Sequence, residues 1–195
     1  MSIKLLGKQS LVYGFGHVIT RLVTFLLLPL YTNQFTPEQY GIVALFYTFV
    51  PLLNIVVRYG MGAAFLKNYV PANKEDRMSI MTNVIISLFL TGIPFLLLFY
   101  FFREDLSLVF FGVVKPSYVV MMGMIIFLDT IWSIPMLALR AENRPRLFIF
   151  FSFLNVGVTL FCNLVFIIIF KMNIGSIFLS NLIASLIIFI LVLPY

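Results

Sequence analysis

Six long apolar runs separated by short polar segments organise this 195-residue chain. They are Leu11–Asn33, Tyr40–Leu66, Met78–Phe102, Ser117–Leu139, Leu147–Phe170 and Ile174–Tyr195. A helix that crosses a bilayer needs about 20 mainly apolar residues, and every run is long enough. Barrel strands are about half that length and alternate with period 2, which these runs do not. The pattern therefore predicts six transmembrane helices in an all-α integral membrane protein. Pro29, Pro51, Pro94 and Pro135 fall inside the runs and predict kinks, which membrane helices tolerate.

Within the runs, polar residues recur at helical spacing and so share faces. The stripes are His17, Arg21 and Thr24; Asn54, Arg58 and Gly62; Asn83, Ser87 and Thr91; Asp129, Ser133 and Arg140; Ser152, Asn155, Thr159 and Asn163; and Asn181 with Ser185. Ser, Thr and Asn serve as glue between helices, at about 0.6 kcal/mol per pair. Glue explains less of Arg21, Arg58 and Asp129. A charge at mid-bilayer costs roughly 2.5–3.5 kcal/mol and usually faces a protein interior or a cavity. Two readings stay open: an Arg–Asp pair that locks the bundle, or a cavity with a cationic lining. His17 reads as a hydrogen-bonded interior residue or as a proton-coupling site. Trp132 reads as packing or as a sugar-stacking wall. Gly60-x-Gly62-Ala63-Ala64 is a small-residue patch suited to close packing or a bend.

Charge then orients the bundle. Lys4 and Lys8, the loop with Lys67, Lys74 and Arg77, and the loop with Arg140, Arg144 and Arg146 put eight basic residues on one side. Arg103, Lys115 and Lys171 put three on the other. The richer side is expected to be cytoplasmic, with the N-terminus inside. On the outer side, Leu106–Gly112 is expected to be a short interfacial segment. The first helix is expected to stay as an uncleaved anchor, because its run is too long for a signal peptide. The apolar end at Tyr195 lacks the positive residues that normally follow an inward-ending helix. A fragment or truncation of a longer transporter is therefore expected.

Composition narrows the function. The chain is 62% hydrophobic and 10% charged, far from soluble averages of about 45–50% and about 25%. The net charge of +6 resides mostly in loops and is no signal of nucleic-acid binding. One cysteine, Cys162, excludes an internal disulfide and argues against a thiolate metal site. No paired carboxylates, metal-ligand spacing or nucleophile–base pair appears, so an enzyme is not expected.

The segment from Thr20 to Tyr69 joins a helix with an internal arginine to a Thr36-Pro37-Glu38-Gln39-Tyr40-Gly41 turn. Its second helix ends in Gly60-x-Gly62-Ala63-Ala64 before Lys67. With Arg140–Phe148 (RAENRPRLF) as the loop between helices four and five, it resembles the Wzx-type polysaccharide transport proteins. These belong with lipid II flippases and MATE exporters. The resemblance implies two six-helix lobes around a central cavity, and the chain, residues 1–195, matches the N-terminal lobe only. It implies a flippase that carries undecaprenyl-pyrophosphate-linked oligosaccharide across the bacterial inner membrane by alternating access, for polysaccharide or O-antigen (lipopolysaccharide) export. Arg21 and Arg58 then occupy places similar to the cavity arginines of lipid II flippases and would meet phosphate. Asn54, Trp132 and Asn155 are the further candidate cavity residues; Asp129 and His17 are candidate coupling or charge-partner residues. No cofactor or metal is expected, and coupling to H+ or Na+ stays open. Expected partners are the lipid-linked oligosaccharide, membrane lipids, and either the missing C-terminal lobe or a second copy. A cation-coupled organic-cation exporter and a non-transporting scaffold are the rivals.

Overall fold

The structure is a computed structural model that describes Leu27 and residues 29–194. Most of the first expected span, with His17 and Arg21, lies outside the described residues. Residues 29–34 are helical. After them come α1 (Pro37–Arg58), α2 (Met61–Tyr69), α3 (Lys74–Phe101), α4 (Arg103–Phe111), α5 (Pro116–Ala141), α6 (Pro145–Leu164) and α7 (Gly175–Val192). A π-helical turn, Val165–Ile169, extends α6. Among the described residues, five helices are long and apolar enough to cross a membrane: α1, α3, α5, α6 with its π turn, and α7.

The Thr-Pro-Glu-Gln turn starts α1 by a reciprocal cap. Gln39 N–H donates to Thr36 Oγ1 at 3.3 Å, and Thr36 N–H donates to Gln39 Oε1 at 3.1 Å. Pro37 at the first helical position gives up no hydrogen bond there.

The second expected span, Tyr40–Leu66, is corrected: it is broken after Arg58. Tyr59 (φ 35°) and Gly60 (φ 81°) take left-handed conformations that end α1 and begin α2. Gly60 has no Cβ to oppose that geometry. Arg58 therefore sits at the end of its helix, not at mid-span. The last α1 carbonyls carry partial negative charge that favours a cation there. Of the small-residue patch, Gly60 makes the bend, while Gly62 lies inside α2, where a Cβ would come within 3.2 Å of Leu137 of α5. Pro51, Pro94 and Pro135 lie within continuous helices. Leu106–Gly112 falls in α4 and its left-handed cap Gly112. Ser107 Oγ donates to Val113 O and accepts from Lys115 N–H, pinning the turn into α5.

α5 is the axis of the bundle. Two-thirds (67%) of its most apolar stretch is buried, against 17% for α1 and α3. It packs on α1, α2, α3, α4, α6 and α7. Lipid tails are as apolar as leucine, so close packing must hold such helices together. The α3–α5 seam shows how. Phe127 of α5 lies over Gly92 of α3, and Phe99 of α3 lies over Gly123 of α5. A Cβ at Gly92 would come within 2.6 Å of the Phe127 ring, which Phe89 holds edge-on at 5.3 Å. Overpacking costs roughly 1–3 kcal/mol, more than the roughly 1 kcal/mol that alanine gains over glycine in a helix. Gly92→Ala is thus expected to lower the thermal unfolding midpoint in detergent. A rise would show that Phe127 moves aside freely.

Candidate functional site

Three of the candidate residues meet in one pocket. Arg58 of α1, Trp132 of α5 and Asn155 of α6 line a cavity of about 280 Å³ at the end of the bundle that carries the basic loops. Ser133, Arg140 and Ser152 add to its wall. Among the described residues, two guanidinium groups line this space and no carboxylate does.

Arg58 is half-buried, and its Nε is buried with no hydrogen-bond partner among the described residues. Arg140 places its guanidinium 5.5 Å from the centre of the Phe148 ring, a cation–π distance. Ser152 donates to Phe148 O, and Ser133 donates to Thr130 O, so both hydroxyls keep acceptor capacity.

Asp129 is not among the lining residues. Its Oδ1 accepts from Trp132 Nε1 at 2.9 Å and from Ser185 Oγ at 2.6 Å, which ties α5 to α7 behind the pocket. Of the two open readings, the Arg–Asp pair does not form as a direct ion pair at Arg58 among the described residues, although Asp129 lies near enough for the two charges to act on each other; Arg21 lies outside those residues. Trp132 Nε1 and Ser185 Oγ supply the hydrogen bonds that a buried carboxylate requires. Asn54, one turn before Arg58, accepts from Thr130 Oγ1 at 3.2 Å and so joins α1 to α5. Trp132 donates its Nε1–H to Asp129, and its side chain is part of the cavity wall.

Elsewhere the polar stripes are less adhesive than their spacing implies. Thr91, Ser152, Thr159 and Asn163 each donate to a carbonyl of their own helix. Bonds between helices come from Asn181 to Tyr47 (3.2 Å), from Ser185 to Asp129 and from Thr130 to Asn54, and Tyr59 and Ser87 share one at 3.1 Å.

Glu142 is the residue at this end that spacing did not single out. It accepts from Tyr69 Oη at 2.8 Å and pairs with Arg144 at 3.1 Å and Arg77 at 3.8 Å. Arg77 also lies 5.2 Å from the Tyr69 ring centre. One carboxylate thus brings together the two basic loops that charge counting put on one side. The only sequence signal was a lone acid among Arg140, Arg144 and Arg146.

Burial and the bond to Glu142 push the Tyr69 hydroxyl up to about 12. An unfolded tyrosine ionises near pH ~10. The raised folded value means that this stability is complete below about pH 10 and is lost as pH rises towards 12. Thermal stability is expected to fall across that window, and Tyr69→Phe is expected to flatten the fall. An unchanged profile in the variant would remove Tyr69 as the cause.

A family model described as polysaccharide biosynthesis protein matches residues 6–195. No curated protein matches the chain. Two solved structures share the fold. One is a MOP superfamily transporter from Pyrococcus furiosus, at TM-score 0.76 and 14% identity, covering 95% of this chain and 43% of that one. The other is a multidrug resistance MATE family transporter in an outward-facing conformation, at TM-score 0.75 and 14% identity, covering 95% and 44%. The chain spans less than half the length of either structure.

Proposed function

We propose that this chain, which belongs to the polysaccharide biosynthesis protein family, is the N-terminal six-helix lobe of a flippase for undecaprenyl-pyrophosphate-linked oligosaccharide. The chain is a multi-pass membrane protein of a transporter family, not an enzyme. The observation that carries the proposal is the cationic pocket: among the described residues, Arg58 and Arg140 line it and no carboxylate does. Arginine presents a planar fork of donors that matches phosphate oxygens, and its charge persists in a low-dielectric site.

In this reading Arg58 and Arg21 hold the pyrophosphate, while Trp132 and Asn155 contact the first sugar. Asn54 steadies α1 against α5 behind Arg58. Asp129 and His17 serve coupling to H+ or Na+. The second lobe, or a second copy, closes the cavity, and the two rock about the bound lipid by alternating access. The protein lies in the bacterial inner membrane with its N-terminus in the cytoplasm, and serves polysaccharide or O-antigen export.

A MATE-type exporter of organic cations would want acid in the pocket, and Asp129 is turned to Trp132 and Ser185 instead. Vesicles containing the full-length protein are expected to move fluorescent lipid-pyrophosphate oligosaccharide between leaflets and to leave tetraphenylphosphonium where it is. Cation efflux without lipid movement would replace this assignment with the exporter.

A further inference from the structure

A second pocket, of about 390 Å³, lies at the opposite end of the bundle and shares no residue with the first. Gln34, Gln39, Lys171 and Asn173 supply its polar wall, and Ile167 and Ile168 supply its apolar one. Gln39 belongs to the first turn of α1 and Arg58 to its last, so about 28 Å of helix separates the two sites.

The backbone at this end is unusual. α6 finishes in the π turn Val165–Ile169, closed by Phe170 N–H to Val165 O. Lys171 then takes φ 49°, a left-handed conformation rare for a residue with a Cβ. Met172 N–H reaches back to Phe166 O at 2.9 Å. A π turn is uncommon and is often found at functional sites. Here it leaves Ile168 in the pocket wall and delivers Lys171 to the rim.

Among the described residues that line the wall, Lys171 is the one charge, and it makes no ion pair there. The Gln34 and Asn173 amides have no side-chain hydrogen bond there either, so three donors face an open space. The N-terminal end of α1 lies beside Gln39, and its partial positive charge is offset by exposed Glu38 in the same turn, so Lys171 is the charge that matters at the wall. Exposed Ile168, Ile169 and Phe170 continue from the rim onto the outside of the span. Oxyanion donors next to an exposed apolar strip match a phosphate head with an acyl or isoprenoid tail.

We propose that this pocket is a second anion site, which takes the phosphate head of a net-negative membrane lipid, with no cation of its own to neutralise it, at the end of the bundle opposite Arg58. It stands apart from the transport assignment, because it needs no movement of substrate. Lys171 pairs with the phosphate, Gln34 and Asn173 donate to its free oxygens, and the tail lies along Ile169 and Phe170.

Native mass spectrometry tests it, on the full chain released from nanodiscs of equal phosphatidylglycerol and phosphatidylcholine. The wild type is expected to retain phosphatidylglycerol preferentially. Lys171→Gln should lower that retention about tenfold, the order expected when a hydrogen-bonded charge contact is removed. Lys171→Arg should keep most of it, and Lys115→Gln should leave it unchanged. A second arm uses phosphatidylcholine nanodiscs and inorganic phosphate. Phosphate binding that depends on Lys171 means that the head alone suffices, whereas none means that the tail is needed. Equal retention by wild type and Lys171→Gln overturns the proposal, as does an equal loss in Lys115→Gln, which would reduce the effect to general surface charge.

Discussion

Arg58→Ala is expected to lower movement of the pyrophosphate lipid by at least about a hundredfold while the protein inserts and folds normally. Two charge-assisted hydrogen bonds to a phosphate, at about 1.5–3 kcal/mol each, set the scale. Folding should be spared because Arg58 has no ion pair among the described residues and its buried Nε has no partner there. An unsatisfied buried donor calls for an explanation, and a phosphate oxygen that accepts from it is one. Arg58→Lys separates charge from shape. It keeps the cation beside the end of α1 but loses the fork, so flux should settle between the other two. The measurement is leaflet-to-leaflet transfer in vesicles, with lipid binding followed in parallel. Full flux in Arg58→Ala would end the phosphate-binding role. A lysine variant equal to wild type would leave only a general charge requirement.

The spans were legible because hydropathy over about 20 residues is a strong signal. The expected Met78–Phe102 and Ser117–Leu139 differ from the observed Lys74–Phe101 and Pro116–Ala141 only at their ends. The break at Tyr59–Gly60 was less legible. Glycine is common inside membrane helices, and nothing local says that this one takes φ 81°. That break decides the depth of Arg58. Helical spacing reports which face a residue occupies, not how far along the membrane it sits. Arg58 and Asp129 could therefore be assigned to facing stripes and feel each other's charge without forming an ion pair. Trp132, three residues from Asp129 on its own helix, and Ser185 on α7 reach the carboxylate instead. The pocket's membership was half legible: Trp132 and Asn155 stood out as a lone tryptophan and a mid-stripe amide. Arg140 read both as the end of the Asp129–Ser133 stripe and as a loop cation; α5 runs on to Ala141, beyond the expected end at Leu139, and keeps it on the helix.

Glu142→Ala is expected to cost about 2–4 kcal/mol of local stability, the largest loss from any single loop residue at this end. The hydrogen bond from Tyr69 to a carboxylate contributes about 1.5–3 kcal/mol, and the partly exposed pairs with Arg77 and Arg144 add no more than about 1 kcal/mol each. Truncation also leaves the buried Tyr69 hydroxyl without its acceptor and two arginines close together. Glu142→Gln divides these effects. It keeps an acceptor for Tyr69 and loses the ion pairs, so its loss should be the smaller. Tyr69→Phe in the alanine background should then cost little more than Glu142→Ala alone, because the shared bond is already gone. Detergent unfolding midpoints, with hydrogen exchange across residues 66–78 and 138–146, would read both. Glu142 lies two residues beyond Arg140, and its partners hold the start of α3 against the turn between α5 and α6. Loosening it should free the helix end that carries one of the pocket's two guanidiniums. Lipid binding should therefore weaken along with stability in Glu142→Ala. Loss of stability with undiminished binding would make the clamp a fastening of the loops alone, with no part in shaping the pocket.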